Sequence, residues 1–289
     1  MPELPEVECL RRTLEPTLVG ARVEAVRVRR RSFVEAAGFE RAIDSKAARL
    51  APLADATIDR IERHGKELAI VPRGSGHVLR VRLGMTGGLR LEPETRRPEP
   101  LPHEHARWIL ATPRGRFLLR HADARRFGDL TVFPDRSALD RDRRLRLGPD
   151  ALESPPAELA AHLEARLEKT SRAVKVALLD QSVLAGLGNI YADESLFQAG
   201  LSPSRPARAL TRAELAELAK AISGILEVAI AEGGSTLRDY RDAQGRQGTA
   251  QERHQVYGRV GSPCLRCGGS VSGISLGGRT TAFCGHCQQ

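Results

Sequence analysis

The first residues of the sequence could place reactive chemistry at the amino terminus of the chain itself. Pro2 follows Met1 and is of the small type that permits removal of the initiator methionine, which would leave a secondary amine. An α-amino group titrates at about 8, against about 10.4 for lysine, so a useful fraction is unprotonated at neutral pH. Such an amine can attack an aldehyde carbon to form an iminium, an electron sink for elimination. Glu3 is a candidate general acid and Glu6 lies close by, although Met-Pro-Glu is also a common start without such a role.

Four cysteines near the end of the chain have the spacing of metal ligands. Cys264-x2-Cys267 and Cys284-x2-Cys287 are separated by 16 residues. Two such knuckles can close a tetrahedral four-thiolate site for Zn2+, and a closed site is structural rather than catalytic. A redox pair or chance clustering is the alternative. Because a module this small cannot bury its own core, we expect zinc binding to be inseparable from its folding.

The charge balance favours a polyanionic partner. Lys and Arg number 45 against 36 Asp and Glu, a net charge of +9, and neutralising phosphates with such cations releases counterions. Arginine dominates and suits bidentate phosphate contacts, although a GC-rich genome would enrich it too. No apolar run approaches the roughly 18 residues of a membrane span, and the acidic, proline-rich start is unlike a secretory signal. These features predict a soluble, cytoplasmic, nucleic-acid-binding protein of about two domains.

Strands are predicted in the first half of the chain, up to Pro134. Leu79, Val81 and Leu83 alternate with Arg80 and Arg82, which indicates a strand with one solvated face. Other strands are predicted at residues 26–28 and, as a hairpin, at residues 108–110 and 117–119.

Helices are predicted at the amino terminus and again after Pro134. The first has apolar residues at helical spacing, with Cys9 as a small buried side chain; they are Val7, Leu10, Leu14 and Leu18, before a stop at Gly20. Ser154 is predicted as the N-cap of a later helix, with Pro155 as its first residue. Thr211 and Glu214 predict a capping box, in a helix that Gly233-Gly234 ends. Residues 238–261 are Gly-rich and aperiodic, and predict a mobile loop.

Motifs along the whole chain match one known family, in that family's order. They are residues 1–8 (MPELPEVE), 64–66 (HGK), 83–87 (LGMTG), 125–128 (RRFG), 186–194 (GLGNIYADE), 255–259 (QVYGR) and the four-cysteine element. Together they closely resemble the bacterial formamidopyrimidine-DNA glycosylases.

The resemblance implies an α+β protein and a DNA-repair enzyme. The implied fold is an N-terminal β-sandwich with a leading helix, then a helical helix–two-turn–helix domain with a C-terminal four-cysteine zinc-finger hairpin. We place these parts at residues 1–136, 137–248 and 249–289, the last including the lesion loop. The implied activity is excision of oxidised purines, 8-oxoguanine and formamidopyrimidines, followed by β,δ-elimination at the abasic site. It uses one structural Zn2+, no organic cofactor, and damaged double-stranded DNA as partner; we expect a monomer.

Catalytic roles follow residue by residue from the resemblance. Pro2 is the expected nucleophile at C1′, Glu3 the acid that assists opening of the sugar, and Glu6 a supporting group. Lys66, on its strand, is expected to hold the phosphate of the lesion, and Arg279 on the zinc hairpin to grip a second phosphate.

The resemblance also implies a set of DNA-binding residues. Asn189 stands before a helix, where backbone N–H groups suit a phosphate. Met85, Arg125 and Phe127 are expected to fill the space left when the damaged nucleotide leaves the stack. Met85 and Phe127 could instead be core residues, but their neighbours indicate exposed loops. His103 and Arg82 are candidate phosphate contacts.

The sequence departs from the family pattern at three places. Ala124 replaces a common proline before Arg125, and Arg82 a common histidine. The loop that closes on extruded 8-oxoguanine often contains Gly-Tyr-Phe, whereas this chain has Gly248-Thr249-Ala250. We therefore hypothesise that smaller or hydantoin-type lesions are handled comparably well.

Two other functions compete with this assignment. One is an endonuclease VIII-like glycosylase for oxidised pyrimidines or hydantoins, against which Leu4-Pro5 and the three void-filling residues argue. The other is a non-catalytic binder of damaged DNA, against which intact Pro2 and Glu3 argue. N-terminal mass spectrometry separates an enzyme from a binder, because a retained Met1 would block the nucleophile and favour the binder.

Overall fold

The computed structural model describes residues 2–74, 76–95 and 98–289. Its helices are α1 (Leu4–Leu18), α2 (Ala42–Leu50), α3 (Arg136–Arg146), α4 (Pro156–Leu167), α5 (Val174–Leu178), α6 (Asn189–Gln198) and α7 (Arg212–Ala231). None of the helices in these ranges is long and apolar enough to cross a membrane. The expected removal of Met1 falls outside the described residues.

Within the described residues the strands form three sheets. They are β1 (Arg22–Val28), β2 (Val34–Ala36), β3 (Ile58–His64), β4 (Glu67–Pro72), β5 (Val78–Arg82), β6 (Gly87–Pro93), β7 (Glu104–Thr112), β8 (Gly115–Asp123), β9 (Asp129–Phe133), β10 (Ser272–Leu276) and β11 (Arg279–Phe283). One sheet has the order β1-β7-β8-β6, a second the order β2-β9-β5-β4-β3, and β10 pairs with β11 near the C-terminus. The predicted α+β class, with a strand-rich first half, is confirmed.

One hydrophobic core joins both large sheets to α1. The apolar side chains predicted on one face of α1 are all buried in it, because residues three and four apart share a helix face. Gly20 follows with a φ of +82°, a backbone conformation that glycine adopts without strain and that ends the helix. Cys9 is buried in α1 as expected.

The chain divides into two compact units that are not continuous in sequence. Unit 1 comprises residues 1–145 and 233–248, and unit 2 comprises residues 146–232 and 249–289. The mobile loop predicted at residues 238–261 is irregular apart from a 3-10 turn at Ala250–Arg253, but its first part is packed, within the segment 233–248 of unit 1. Tyr240 and Ala243 lie in the core of unit 1, and the amide of Leu91 donates to the carbonyl of Ala243 at 2.8 Å.

Three local predictions need correction. Arg80, expected on a solvated strand face, is 5% exposed, because its guanidinium pairs with Asp129 and with Asp142 of α3. Pro155, not Ser154, is the N-cap of α4, so the helix starts one residue later than predicted. Lys66 lies in the two-residue turn between β3 and β4 rather than on a strand.

In unit 2, α7 has the predicted ends. Thr211 is its N-cap and Glu214 completes the capping box, with the amide of Thr211 donating to the Glu214 carboxylate at 2.8 Å. Gly233 and Gly234, both with positive φ, follow the last turn.

Candidate active site

The amino terminus is a buried, capped helix start. Glu3, with an extended backbone, is the N-cap of α1, and both Pro2 and Glu3 are buried. The amide of Glu3 donates to Oε2 of Glu6 at 2.8 Å, which satisfies a helix N–H that would otherwise lack a partner. The backbone at Glu3, the candidate acid, is therefore fixed from within α1.

Glu6 also ties α1 to the returning segment 233–248. Its Oε1 accepts from the amide of Ser235 at 2.7 Å, and its carbonyl accepts from the Tyr240 hydroxyl at 3.1 Å. A Cβ on Gly234 would lie 3.0 Å from Oε1 of Glu6, so this close approach leaves little room for a side chain there. Glu6 therefore joins two distant parts of the chain beside Glu3, and its supporting role in catalysis stays a prediction.

Glu8 connects α1 to the strand that precedes Lys66. Its carboxylate pairs with Arg11 at 2.9 Å, with Arg12 at 2.8 Å and with Arg63 of β3 at 3.1 Å. Burial alone would raise the pKa of Glu8, but the hydrogen bonds from Arg11 and Arg12 outweigh it and lower that pKa to about 2. Arg63 also donates to the carbonyl of Gly65, so the turn that carries half-buried Lys66 is tied through Arg63 to α1.

The three void-filling candidates lie on two loops of unit 1, as predicted. Met85 is in the turn between β5 and β6, and Arg125 and Phe127 are in the loop between β8 and β9. Phe127 is 58% exposed, and the guanidinium of Arg125 lies 4.8 Å from the centre of its ring. These side chains therefore lie outside the core, which removes the alternative interpretation for Phe127.

The two loops are in backbone contact. A Cβ on Gly84 would lie 2.4 Å from the amide nitrogen of Gly128, and a Cβ on Gly128 would lie 2.3 Å from the carbonyl of Arg82. Both glycines are needed because no side chain fits at this approach.

The remaining candidates in unit 1 differ in whether their side chains form an ion pair within the protein or lie exposed on its surface. The Arg82 guanidinium forms an ion pair with Asp129 and is half-exposed. His103 is exposed, has a φ of +59°, and accepts a hydrogen bond at its carbonyl from the amide of Asp123. His103 therefore lies on the surface of a turn, whereas the half-exposed Arg82 is held by Asp129.

In unit 2, Asn189 is hydrogen-bonded to the hairpin that follows the first cysteine pair. Asn189 is the first residue of α6, and its Nδ2 donates to the carbonyl of Thr280, the residue after Arg279, at 3.0 Å. Lys175 donates to the same carbonyl at 3.2 Å and pairs with Asp193 at 2.6 Å. The carbonyl of Thr280 thereby links Asn189 to the strand that carries Arg279, at the amino end of α6, where the helix dipole favours an anion.

Two acidic residues of α6 anchor the C-terminal segment. Oδ2 of Asp193 accepts from the amide of Ala282, and burial raises the pKa of Asp193 to about 6 although Lys175 opposes this. The Glu194 carboxylate accepts from three successive amides, those of residues 255–257, at 2.8–3.0 Å. Sequence reasoning used these residues only as part of a motif; acidic residues in the middle of an apolar helix were the signal for buried partners.

The four cysteine sulfurs lie within 4.8 Å of one another. Sγ of Cys264 is 4.0 Å from that of Cys287, and Sγ of Cys267 is 3.6 Å from that of Cys284. A tetrahedral site with bonds of about 2.3 Å has sulfur–sulfur edges of about 3.8 Å, so the cluster fits zinc. The four sulfurs form one cluster rather than two separate pairs, as a single four-coordinate ion requires.

Known proteins match the chain from end to end. The family model of the formamidopyrimidine-DNA glycosylase N-terminal domain matches residues 1–130, that of the corresponding H2TH domain residues 147–241, and a zinc finger found in FPG and IleRS residues 261–289. The formamidopyrimidine-DNA glycosylase of Desulfitobacterium hafniense is 39% identical over 289 residues and that of Thermus thermophilus 42% over 291, each covering the whole of this chain and 98–100% of the relative. The chain belongs to the formamidopyrimidine-DNA glycosylase family.

Solved structures agree with this assignment. The crystal structure of the MutM (Fpg) protein from Thermus thermophilus matches with a TM-score of 0.83 and 39% identity, over 99% of this chain and 98% of that one. The Lactococcus lactis Fpg in complex with DNA containing an abasic site matches with a TM-score of 0.85 and 32% identity over the full length of both. As a member of this family, the protein is a bifunctional DNA glycosylase and abasic-site lyase of base-excision repair, with one structural zinc site formed by its four C-terminal cysteines.

The segment at Gly248-Thr249-Ala250, which is expected to close on the extruded base, is hydrogen-bonded to the residue that follows α7. The amide of Thr249 donates to the carbonyl of Glu232 at 2.8 Å, and its hydroxyl donates to Oε2 of Glu232 at 2.9 Å. Arg253 pairs with the same carboxylate at 3.0 Å, and Ala250 is buried. Where family members often have two aromatic residues, this chain has a hydrogen-bonded turn on the C-terminus of α7.

Proposed function

We propose that this glycosylase excises 8-oxoguanine and formamidopyrimidines from duplex DNA with Pro2 as the nucleophile. After loss of Met1, the Pro2 nitrogen attacks C1′ while the bond from C1′ to the base breaks, and the base leaves with a proton. Glu3 protonates the ring oxygen O4′ as the C1′–O4′ bond breaks, which leaves an iminium between Pro2 and the opened sugar. Loss of a C2′ proton then expels the 3′ phosphate, and a second elimination expels the 5′ phosphate.

The observation that carries this proposal is the fixed geometry at Glu3 and Glu6. Glu6 uses one carboxylate oxygen for the amide of Glu3 and the other for that of Ser235. The buried start of α1 is therefore held before any substrate arrives, and catalysis benefits because no free energy is spent on ordering it.

The DNA contacts are proposed as a set of phosphate ligands. Lys66 holds the phosphate of the damaged nucleotide, and Asn189 and Arg279 hold a second phosphate; Arg82 and His103 add contacts on unit 1. Arginine and lysine at these positions account for part of the net charge of +9 and predict a steep loss of affinity with salt.

Base excision requires the damaged nucleotide to leave the stack, which costs a few kcal/mol. We propose that Met85, Arg125 and Phe127 fill the space it leaves. Met85 lies on a half-buried turn and Arg125 and Phe127 on an exposed loop, with Arg125 stacked on Phe127, which supports this role.

The lesion spectrum is proposed to be wider than 8-oxoguanine. Thr249 is bonded to Glu232, and Ala250 offers no ring to stack on a base. Hydantoin-type lesions are thus expected to be excised comparably well. We further propose that the protein acts as a monomer in the bacterial cytoplasm on nucleoid DNA. Its functional parts are proposed at residues 1–136, 137–248 and 249–289, of which residues 233–248 pack with the first part.

Borohydride trapping tests the proposal. A duplex with 8-oxoguanine opposite C and a matched abasic-site duplex are each incubated with the full chain and reductant. Adducts with both, mapped to Pro2 by peptide mass spectrometry, support it. An adduct with the abasic duplex alone would keep the lyase chemistry and remove the lesion assignment, while an adduct at a lysine would remove Pro2.

A further inference from the structure

Asp123 lies at the end of β8, directly before the loop that carries Arg125 and Phe127, and it is 1% exposed. Its Oδ1 accepts from the Thr86 hydroxyl at 2.6 Å and from the amide of Arg125 at 3.2 Å. Its Oδ2 accepts from the amide of Gly128 at 2.9 Å. One carboxylate therefore bonds both ends of the Arg125–Phe127 loop and the turn that carries Met85.

The Thr86 hydroxyl closes a second link between the same two loops. It donates to Asp123 and accepts from the amide of Arg125 at 3.0 Å, so the three groups form a triangle of hydrogen bonds. Because Gly84 and Gly128 also leave no space between the backbones, the two loops have little freedom to move separately.

Asp123 is itself fixed and charged. Its carbonyl lies 2.8 Å from Nε2 of His105, a buried neighbour on β7. Burial alone would raise the pKa of Asp123, but the hydrogen bonds from Thr86 and from the loop amides outweigh it and lower that pKa. Charged acceptors make the stronger hydrogen bonds to amides, so the ionised form suits this role.

We propose that Asp123 is a positioning residue that fastens the Met85 turn and the Arg125–Phe127 loop into a single void-filling unit. The inference rests on the proposed function of those three side chains. Because they come from two loops yet must enter the DNA stack together, loops that were independent would lose conformational entropy at insertion. Fastening them beforehand removes that cost from the extrusion step and leaves the elimination chemistry untouched.

The test compares Asp123→Asn and Thr86→Val with the wild type on two substrates. The first is a duplex with 8-oxoguanine opposite C and 2-aminopurine beside the lesion, which reports extrusion by stopped-flow fluorescence and base release by single-turnover kinetics. The second is a single-stranded oligonucleotide with a preformed abasic site, which has no opposite base and no void. In Asp123→Asn the side-chain amide faces a donor, so extrusion and base release should slow by about tenfold or more.

The same variants should change elimination on the single strand by no more than about twofold. Thr86→Val, nearly isosteric, should slow extrusion in the same direction, and Thr86→Ser should restore it. Asp135→Asn is the matched control: this exposed aspartate of unit 1 likewise accepts from a hydroxyl, that of Ser137, and from an amide, that of Ala138, and its loss should leave extrusion unchanged.

Two results would overturn the inference. One is an extrusion rate in Asp123→Asn and Thr86→Val equal to that of the wild type. The other is an equal loss on the single strand, which would indicate general damage to the active site. If the wild-type enzyme neither extrudes the damaged base nor releases it from the duplex, the proposed function is refuted, and the inference with it.

Discussion

Glu6 accepts a hydrogen bond from the backbone amide of Ser235, 229 residues further along the chain, at 2.7 Å. The same carboxylate accepts from the amide of Glu3 at 2.8 Å, so a single side chain sets both the helix start and the returning segment. Sequence proximity had suggested Glu6 as a supporting group; the structure shows which two groups it bonds.

Replacing Glu6 should therefore disturb catalysis and stability together. In Glu6→Gln one oxygen becomes an NH2 group that faces a backbone N–H, and a buried donor left without an acceptor costs about 1–3 kcal/mol. We expect a lower melting temperature and a loss of borohydride trapping. Glu15→Gln, at a half-exposed position of the same helix where it pairs with Arg11, is the control and should change neither. Full trapping in Glu6→Gln would contradict the supporting role.

Glu3→Gln should separate chemistry from binding. Without a titratable carboxyl, protonation of O4′ fails, so base excision should fall by about two or more orders of magnitude. Duplex affinity, measured by fluorescence anisotropy, should stay nearly intact because the proposed phosphate ligands are elsewhere. A large loss of affinity would instead assign Glu3 to DNA binding.

Glu8 predicts a specific acid sensitivity. Its folded-state pKa of about 2 lies below the ordinary value of 4.5, so the unfolded state binds the proton more tightly. The stability it contributes is fully present above about pH 4.5 and is lost as pH falls towards 2. Because solvent screens the interactions with Arg11 and Arg12, the contribution of Glu8 to the free energy of unfolding is roughly 1–3 kcal/mol.

Chemical denaturation at several pH values checks that prediction. The free energy of unfolding of Glu8→Gln should lie below that of the wild type at pH 6, and the two should converge as pH falls. Glu24→Gln, which breaks an exposed pair with Arg116, should show no such convergence. Parallel curves for wild type and Glu8→Gln would show that the ion pairs of Glu8 add no stability.

Loss of one zinc ligand should unfold the C-terminal module. Cys264→Ser is expected to release zinc and to weaken DNA binding, because β10 and β11 carry Arg279 and bury little apolar surface of their own. Zinc content by mass spectrometry and affinity by anisotropy give the result. Cys9→Ala, which removes the thiol of α1, should retain the metal. Normal affinity in a zinc-free Cys264→Ser protein would remove the finger from the DNA contacts.

The lesion loop should respond to restored aromatic residues. Thr249→Tyr with Ala250→Phe is expected to raise excision of 8-oxoguanine relative to a hydantoin lesion, as a stacking surface is gained and the bonds to Glu232 are lost. Thr249→Val loses the hydroxyl bond without adding a ring and serves as the control. An unchanged ratio of single-turnover rates on the two lesions would indicate that the loop does not set specificity.

Local signals in the sequence were sufficient for much of the fold. The apolar spacing of α1, the Thr211–Glu214 capping box and the hairpin at Thr112–Gly115 were all predicted and are confirmed, because each depends on residues a few positions apart. The metal cluster follows in the same way from cysteine spacing. Motifs also placed Met85 and Phe127 correctly in loops.

Long-range partners were beyond such signals. Arg80 looked solvated because the carboxylates that bury it, Asp129 and Asp142, are 49 and 62 residues away. No role was predicted for Asp123, because nothing near it in sequence shows that Thr86, in the turn between β5 and β6, lies beside it. The packing of residues 233–248 was missed for the same reason: Tyr240 and Ala243 find their neighbours in the first half of the chain.

The discontinuity of unit 1 limits the modularity of this protein. A gene fragment that stopped at residue 145 would encode both large sheets and every proposed reactive group of the amino terminus, yet it would omit the partner of Glu6. The two-sheet sandwich is therefore not expected to fold as an independent fragment of residues 1–145. Fusions, circular permutations or split reporters made from this enzyme must carry residues 233–248 with the sandwich, since Tyr240 and Ala243 of that segment complete its core.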